Sequence, residues 1–254
     1  MKIIEAIETL VHGDSLDKEA SADVMRQIME GQISSAQTAS FLTALRIKGE
    51  TAEEIAGMAI TMRDNSLRVS VHGNLVDTAG TGGDGSGSFN ISTAAAFVAA
   101  AADIKIAKHG NRAASGRCGS ADLLEAIGSN IELSPSSVEQ CINHVNFGFM
   151  FAPLFHPAMK HAAPVRRELG IRTVFNVLGP LTNPAKSRFQ LLGVADKSLG
   201  RKMTEVLHLM GSTHSMVVHG EDGLDEMTLG GITHIWELKN GEIKYYTISP
   251  EEMN

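Results

Sequence analysis

The chain has 254 residues, 43% of them hydrophobic and 20% charged, a composition typical of a globular protein with one or two domains. Its formal net charge of -7 argues against a broad nucleic-acid-binding surface, and no apolar stretch is long enough to span a bilayer. The two cysteines have no metal-ligand spacing and suggest no disulfide framework. Because the N-terminus also lacks a signal-peptide pattern, we expect a cytoplasmic protein without nucleic-acid or membrane partners.

Helical periodicity dominates the first seventy residues. Apolar residues recur at helical spacing, Gly49 follows the third periodic segment as a stop, and Thr51 to Glu54 form a capping box that opens the fourth. The predicted helices cover residues 3–11, 17–30, 34–48 and the segment after Thr51. No strand candidate occurs here, so residues 1–70 are predicted to form a small helical domain.

From residue 67 onward, short β-rich runs alternate with helical segments. The predicted strands are 75–77, 104–107, 215–219 and a hairpin of 232–238 with 241–247. The predicted helices are 92–102, 121–127, 135–146 and 157–169, the last bent at Pro164. This alternation predicts the α/β class, with residues 71–254 forming a larger domain whose mixed, mainly parallel sheet is covered by helices.

A glycine-rich loop follows the first predicted strand. Five glycines lie between Gly80 and Gly87, and the loop leads directly into a predicted helix, where backbone N–H groups attract anions. The spacing of Gly80, Gly82 and Gly85 matches a dinucleotide fingerprint, but Lys108 stands where that fold needs an acidic residue at the end of the next strand. The loop therefore favours phosphate binding of another type, with a tight structural turn as the alternative.

Two further loops carry groups suited to anions. Lys108, His109 and Arg112 follow the second predicted strand and offer cationic donors for phosphate, although a solvated basic loop has the same composition. The small-residue loop 115–120 ends at Ser120, which is either a helix N-cap or a further hydroxyl for an anion.

An acidic pair and two arginines complete the candidates. Asp225 and Glu226 follow a predicted strand and can hold Mg²⁺ together with water and substrate phosphates, whereas an acidic surface turn is the alternative. One of Arg166 and Arg167 could face a substrate carboxylate, and the pattern does not choose between them. His219 is predicted to tether a loop. No nucleophile constellation is present, so no dedicated catalytic acid or base is expected.

Taken in order, six motifs resemble those of the anthranilate phosphoribosyltransferase family, and the resemblance covers nearly the whole chain. The motifs are 77–84, 89–93, 108–112, 119–128, 175–184 and 223–226. The family shares its fold with pyrimidine nucleoside phosphorylases and transfers a phosphoribosyl group from phosphoribosyl pyrophosphate to the amine of anthranilate, in tryptophan biosynthesis. The resemblance implies Mg²⁺ as cofactor, a homodimer formed through the helical domain, and a possible glutamine amidotransferase partner.

The resemblance also assigns roles to individual residues. Contacts with phosphoribosyl pyrophosphate are implied for Gly80, Gly83, Asp84, Ser88, Asn90, Ile91, Ser92, Thr93, Lys108, His109, Gly110, Asn111, Arg112, Ala113, Ala114, Ser115, Gly116 and Ser120. Contacts with anthranilate are implied for Gly80, Asn111 and Arg166, a choice that selects Arg166 over Arg167. Mg²⁺ is assigned to Ser92, Asp225 and Glu226.

Chains of this family continue beyond the position of Asn254, so we expect a C-terminal truncation and an incomplete α/β domain. Two alternatives stay open at this point. The first is a phosphoribosyltransferase or pyrimidine nucleoside phosphorylase of the same fold with another acceptor, although Asn111 favours the anthranilate enzymes. The second is an inactive ligand-binding fragment.

Overall fold

A computed structural model describes residues 1–113 and 118–253. Its N-terminal part consists of the four predicted helices, which are α1 (Ile3–Val11), α2 (Lys18–Met29), α3 (Ser35–Lys48) and α4 (Ala52–Asp64). Side-chain oxygens of Asp17, Ser34 and Thr51 accept backbone N–H groups at the starts of α2, α3 and α4, so each helix begins where a capping residue stands. None of the helices described is both long and apolar enough to cross a membrane.

The rest of the described chain alternates strands and helices. In chain order these are β1 (Val76–Gly80), α5 (Ile91–Ala101), β2 (Ile106–Gly110), α6 (Ser120–Ala126), α7 (Pro135–Val145), β3 (Phe147–Phe151), α8 (Ala152–Phe155), α9 (Ala163–Leu169), α10 (Phe175–Leu178), β4 (Phe189–Gly193), α11 (Leu199–Leu209), β5 (His214–Gly220), β6 (Thr233–Lys239) and β7 (Glu242–Ile248). Short 3₁₀ segments cover Pro157–His161, Gly179–Leu181 and Pro250–Met253.

The strands form one seven-stranded sheet in the order β3-β2-β1-β4-β5-β6-β7. The first five strands in this order are parallel and the last two pairings are antiparallel, which confirms the mixed, mainly parallel sheet. The chain leaves β1 toward β2 and β3, then returns to β4 on the other side of β1. The order of the strands therefore reverses between β1 and β4, and ligands of such sheets bind outside the carboxyl ends of the strands at this point.

The structure corrects two predictions from the sequence and adds two strands that the pattern did not indicate. The strand expected at 104–107 is β2, which begins at Ile106 and continues to Gly110, so Lys108 and His109 lie within a strand rather than in a loop beyond it. The helix expected at 157–169 is interrupted: a 3₁₀ segment precedes α9, and Pro164 lies in the first turn of α9, where proline starts a helix instead of bending one. Strands β3 and β4 are not predicted by the sequence pattern.

Candidate active site

The glycine-rich loop begins at the carboxyl end of β1, beside the carboxyl end of β4. Gly80 pairs with Gly193 across these two strands, and the Thr81 amide donates to the Gly193 carbonyl oxygen at 2.9 Å. The Gly82 amide donates to Asp225 Oδ2 at 2.9 Å, although the two residues are 143 positions apart. A Cβ on Gly80 would stand 2.6 Å from Asp225 Oδ2, so any other residue at the strand end would force the Asp225 carboxylate to move. The predicted phosphate loop and the predicted metal residues thus lie in direct contact.

Three carboxylates influence one another at this edge of the sheet. Burial and the neighbouring Asp225 raise the pKa of Glu226 to about 7, while Lys108 acts in the opposite direction. Burial raises the pKa of Asp225, and the charge of Asp84 raises it further. Asp84 Oδ2 is buried and accepts no hydrogen bond from any described residue. A divalent cation would relieve this repulsion and use the free carboxylate oxygen.

The oxygen atoms of this cluster fit Mg²⁺, although the protein alone does not supply a complete set of ligands. Within the described part of the chain, no three histidine, cysteine or acidic side chains are grouped so that they could hold a metal ion. Mg²⁺ usually keeps several waters and binds one or two carboxylates together with substrate phosphates, so an open acidic pair is the expected arrangement. Asp225, Glu226 and the Ser92 hydroxyl are the residues that would hold it, as the resemblance implies.

Lys108 lies beneath the junction of the glycine loop with α5. Its side chain is buried, and Nζ donates to the Thr78 carbonyl oxygen at 2.5 Å and to the hydroxyls of Thr78 and Ser92, each at 3.2 Å. Burial lowers the pKa of Lys108 to about 8, and the carboxylates of Asp77 and Glu226 partly offset this effect. In this conformation Lys108 orients Ser92, and a direct contact with phosphate stays a prediction.

The loop after β2 is fastened to α6. Arg112 forms ion pairs with Glu125 and, at 3.3 Å, with Asp122, and its guanidinium lies 5.5 Å from the ring centroid of Phe151. Asp122 Oδ2 also accepts the Ala113 amide at 3.0 Å. Arg112, one of the cations predicted to bind phosphate, is therefore paired with carboxylates in this structure.

The other described residues that the resemblance assigns to phosphoribosyl pyrophosphate lie along the same edge of the sheet. Asn90 Nδ2 donates to the Cys118 carbonyl oxygen at 3.1 Å, which joins the glycine loop to the segment before α6. The Ser120 hydroxyl donates to the Asn111 carbonyl oxygen at 3.4 Å. Gly83 and Ser88 lie in the glycine loop, Ile91 and Thr93 in the first turn of α5, and Gly110 at the end of β2. Ala114, Ser115 and Gly116 lie outside the described residues.

Arg166 and Arg167 differ in their surroundings. The Arg166 guanidinium is half-buried and lies 4.9 Å from the ring centroid of Phe175, and burial lowers the pKa of Arg166. Arg167, the next residue on α9, is exposed. Arg166 is thus the less exposed of the two arginines, and its contact with a substrate stays a prediction.

Arg172 is a site residue that the sequence pattern did not indicate. Its Nη2 donates to the Gly82 carbonyl oxygen at 3.3 Å. The Gly82 residue is therefore held through its amide by Asp225 and through its carbonyl by Arg172. No motif or periodicity distinguishes Arg172 from other exposed arginines, so its role is visible only in three dimensions.

Two buried histidines face each other behind the site. The rings of His109 on β2 and His156 after α8 have centroids 4.9 Å apart, and both Nε2 atoms are buried without a hydrogen-bond partner among residues 1–113 and 118–253. Burial, together with the charge of His156, lowers the pKa of His109 to about 3, and burial lowers that of His156 to about 4. Both imidazoles are therefore neutral near pH 7. The resemblance implied a contact of His109 with phosphoribosyl pyrophosphate, whereas the sequence gave His156 no role.

We expect the two buried histidines to lower the stability of the fold as the pH decreases from about 6 to about 4.5. In this range the unfolded chain protonates both imidazoles, whose ordinary pKa is 6.5, while the folded chain keeps them neutral. Buried Asp77 acts in the opposite sense, because burial raises its pKa from 3.8 to about 6 and it is protonated only in the folded chain. Glu226 acts like Asp77, because its pKa is raised from 4.5 to about 7. Unfolding therefore takes up two protons and releases two, so these four groups together leave the free energy of unfolding nearly independent of pH, whereas each histidine alone lowers it by about 1.4 kcal/mol for each unit that the pH decreases.

Urea denaturation at several pH values checks this expectation. His156→Asn should remove one of the two protons taken up, so that the free energy of unfolding rises by about 1.4 kcal/mol for each unit that the pH decreases from about 6 to about 4.5. His144→Asn, at an exposed position on α7, is the matched control and should keep the slope of the unmodified chain. An unchanged slope in His156→Asn would contradict a buried neutral imidazole at this position.

The helical unit and the α/β sheet, with the glycine loop at its switch point, correspond to the two domains of the glycosyl transferase family. The model of the glycosyl transferase family's helical bundle domain matches residues 4–66, and that of its a/b domain matches residues 72–254. An anthranilate phosphoribosyltransferase of Dehalococcoides mccartyi is 58% identical over 99% of this chain and 74% of its own length. One of Chloroflexus aggregans is 53% identical over 100% of this chain and 75% of its own length.

Solved structures agree with these relatives. The crystal structure of anthranilate phosphoribosyltransferase from Thermus thermophilus has a TM-score of 0.91 at 48% identity, over 98% of this chain and 74% of that one. The Saccharomyces cerevisiae enzyme in complex with phosphoribosyl pyrophosphate and Mg has a TM-score of 0.89 at 32% identity, over 98% of this chain and 73% of that one. The chain belongs to the anthranilate phosphoribosyltransferase family.

Proposed function

We propose that the chain transfers the phosphoribosyl group of phosphoribosyl pyrophosphate to the amine of anthranilate, releasing pyrophosphate and forming N-(5-phosphoribosyl)anthranilate for tryptophan biosynthesis. The observation that carries this proposal is the direct contact between the glycine loop and Asp225 at the switch point of the sheet, in a chain of this family. The complex of the yeast relative with phosphoribosyl pyrophosphate and Mg supports the choice of donor.

The donor would lie along the glycine loop and the first turn of α5. Backbone N–H groups there would stabilise the charge that develops on the leaving pyrophosphate as the bond from C1 breaks. Mg²⁺, when bound, supplies positive charge at the same leaving group. Lys108 would keep the Ser92 hydroxyl oriented, and Arg172 with Asp225 would fix the Gly82 residue beside the pyrophosphate.

The acceptor would lie near Gly80, Asn111 and Arg166. The guanidinium of Arg166 can hold the anthranilate carboxylate through two parallel hydrogen bonds. The aromatic amine is neutral and nucleophilic, so its nitrogen can attack C1 without a dedicated base and then lose its proton. Catalysis is then mainly positioning and electrostatic stabilisation, and direct displacement predicts inversion at C1.

A fluorescence assay tests the proposal. Loss of anthranilate fluorescence on addition of phosphoribosyl pyrophosphate and Mg²⁺ is the expected result. Calorimetric binding of the donor without loss of fluorescence would favour a ligand-binding protein instead. Turnover with another acceptor in place of anthranilate would favour a different transferase of the same fold.

Arg166→Ala should weaken apparent anthranilate affinity by about tenfold or more while changing that of the donor little. The reason is the loss of charge-assisted hydrogen bonds to one carboxylate of the acceptor. Steady-state kinetics with each substrate varied in turn measure both effects. Arg167→Ala, at the neighbouring exposed position, is the control and should leave both substrates unaffected. Equal weakening of donor and acceptor by Arg166→Ala would refute the assignment.

The helical unit, which we place at residues 1–70, is proposed to form a homodimer. Ile4 and Val11 on α1 are 63% and 68% exposed, and Ile47 on α3 is 82% exposed, so apolar surface is available on two helices that pack together. We expect light scattering to give the mass of a dimer, and Ile4→Lys with Ile47→Lys to give a monomer. Val145→Lys, at an exposed apolar position on α7, should stay dimeric. Unchanged mass in the first variant would exclude this interface.

Two further expectations stay predictions. These are a cytoplasmic location and a glutamine amidotransferase partner.

A further inference from the structure

A cavity of about 210 Å³ lies at the edge of the sheet opposite the candidate active site. It is bounded by the end of α4, the segment that leads into β4 and the end of α11, which contribute Arg63, residues 186–188 and residues 210–212 to its wall. Because β4 begins at Phe189 and its carboxyl end at Gly193 carries the candidate site, the cavity and that site lie at opposite ends of the same strand. No role in the proposed transfer uses this cavity.

Positive charge predominates around this cavity. Arg63, Lys186 and Arg188 line it, and the ion pair of Lys186 Nζ with Asp64 Oδ1 at 2.6 Å uses only one of these cations. Within residues 1–113 and 118–253, no carboxylate lies within ion-pair distance of Arg63 or Arg188. The cavity wall therefore has three cations, of which one is paired with a carboxylate.

Arg63 is partly withdrawn from solvent without a compensating partner. Burial lowers the pKa of its guanidinium, and only the nearby Asp64 opposes this effect. Its Nε atom is buried and donates to no described residue. A desolvated guanidinium is costly unless an acceptor pairs with it, so the position of Arg63 calls for an anionic acceptor.

A second unsatisfied polar group stands in the same wall. Ser187 Oγ is buried and has no hydrogen-bond partner in the described part of the chain. Guanidinium groups cannot accept hydrogen bonds, whereas a serine hydroxyl can donate one. The polar groups left over in the cavity are therefore mainly donors, and a ligand for them must carry several acceptor oxygens. Carboxylate and phosphate groups match the planar fork of an arginine.

We propose that the cavity lined by Arg63, Ser187 and Arg188 is a second anion site that binds a small oxyanion, either a phosphate or a carboxylate group. The site is separate from the one that binds the substrates. Arg63 belongs to the last turn of α4, and Arg188 directly precedes β4. A bound oxyanion would therefore link the helical unit to the central strand of the sheet.

Titration with inorganic phosphate, followed by backbone amide NMR shifts, tests the proposal. Amides at Ser187, Gly211 and Ser212 report on the cavity, while those at Gly82 and Gly83 report on the glycine loop. We expect saturable shifts at the cavity that Arg63→Gln and Arg188→Gln weaken by about tenfold or more, without changing the response of the glycine loop. Arg201→Gln, which removes an exposed arginine of α11 that pairs with Glu205, should leave the cavity response unchanged.

A parallel titration with acetate distinguishes the two sources of the oxyanion. Stronger binding of phosphate indicates a phosphate site, and stronger binding of acetate indicates a carboxylate site. The proposal is overturned if neither probe gives saturable shifts at the cavity, or if the shifts survive both substitutions. Arg188 is exposed, so its variant keeps the test valid should Arg63→Gln fail to fold. The readout does not depend on turnover and is independent of the proposed transfer.

Discussion

The double substitution Asp225→Asn with Glu226→Gln should lower the Mg²⁺-dependent rate of transfer by at least about 10²–10³-fold. Both changes keep the size of the side chain, and the new amide oxygen at position 225 can still accept the Gly82 N–H. They remove two negative charges from the acidic cluster that meets the glycine loop. Initial rates measured over a range of Mg²⁺ concentrations at saturating substrates give the comparison.

A matched control lies in the same acidic loop. Glu221 is exposed, and Glu221→Gln removes one negative charge while leaving Asp225 and Glu226 in place. We expect this variant to keep the Mg²⁺ dependence of the unmodified chain. A second readout is the rise in thermal stability on adding Mg²⁺ and phosphoribosyl pyrophosphate, which the double variant should lose. Unchanged Mg²⁺ dependence of the double variant would remove Asp225 and Glu226 from the metal site.

Local signals in the sequence were sufficient for the helical unit. Asp17, Ser34 and Thr51 each stand at a helix start, and the structure places a capped helix after every one of them. Capping and helical periodicity act over a few residues, so they can be recognised without knowledge of the fold.

The central sheet was predicted less completely. Strand β4 is the neighbour of β1 and forms the switch point, yet its five residues carry no turn or periodic signal that separates them from the preceding loop. Strand β3, with the sequence Phe-Gly-Phe-Met-Phe, is a short apolar run that could equally belong to a buried helix. Both strands are specified by long-range pairing, which a single sequence does not display.

In the candidate site, too, local features were predicted from the sequence and long-range contacts were not. The glycine loop and the acidic pair are continuous in sequence, so their residue types predicted their chemistry. Their contact, which joins positions 143 residues apart, depends on the strand order. The partners of Arg172 and His156 likewise come from distant segments, and the burial of Lys108 follows from the extension of β2 beneath α5.

Gly193→Ala should reduce both stability and activity, because the close backbone contact between Gly193 and Asp225 positions Asp225 at the candidate site. A Cβ at Gly193 would overlap the backbone carbonyl oxygen of Asp225, and β4 cannot move away because it is paired on both sides, with β1 and with β5. The chain around Asp225 must then shift. We expect the free energy of unfolding to fall by about 1–3 kcal/mol and the transfer rate by about 10²-fold or more.

Two other glycines test whether the effect comes from the contact with Asp225. Gly80→Ala meets only the side-chain carboxylate of Asp225, which can rotate, so it should lower stability less than Gly193→Ala while still disturbing the Gly82–Asp225 hydrogen bond. Gly231→Ala, where a Cβ meets no atom within 4 Å, should change neither quantity. Chemical denaturation and initial rates on the three variants give the order. If Gly193→Ala matched Gly231→Ala in both measurements, Asp225 would not be held against the end of β4 in the working protein. The link between the switch point and the proposed metal residues would then fail.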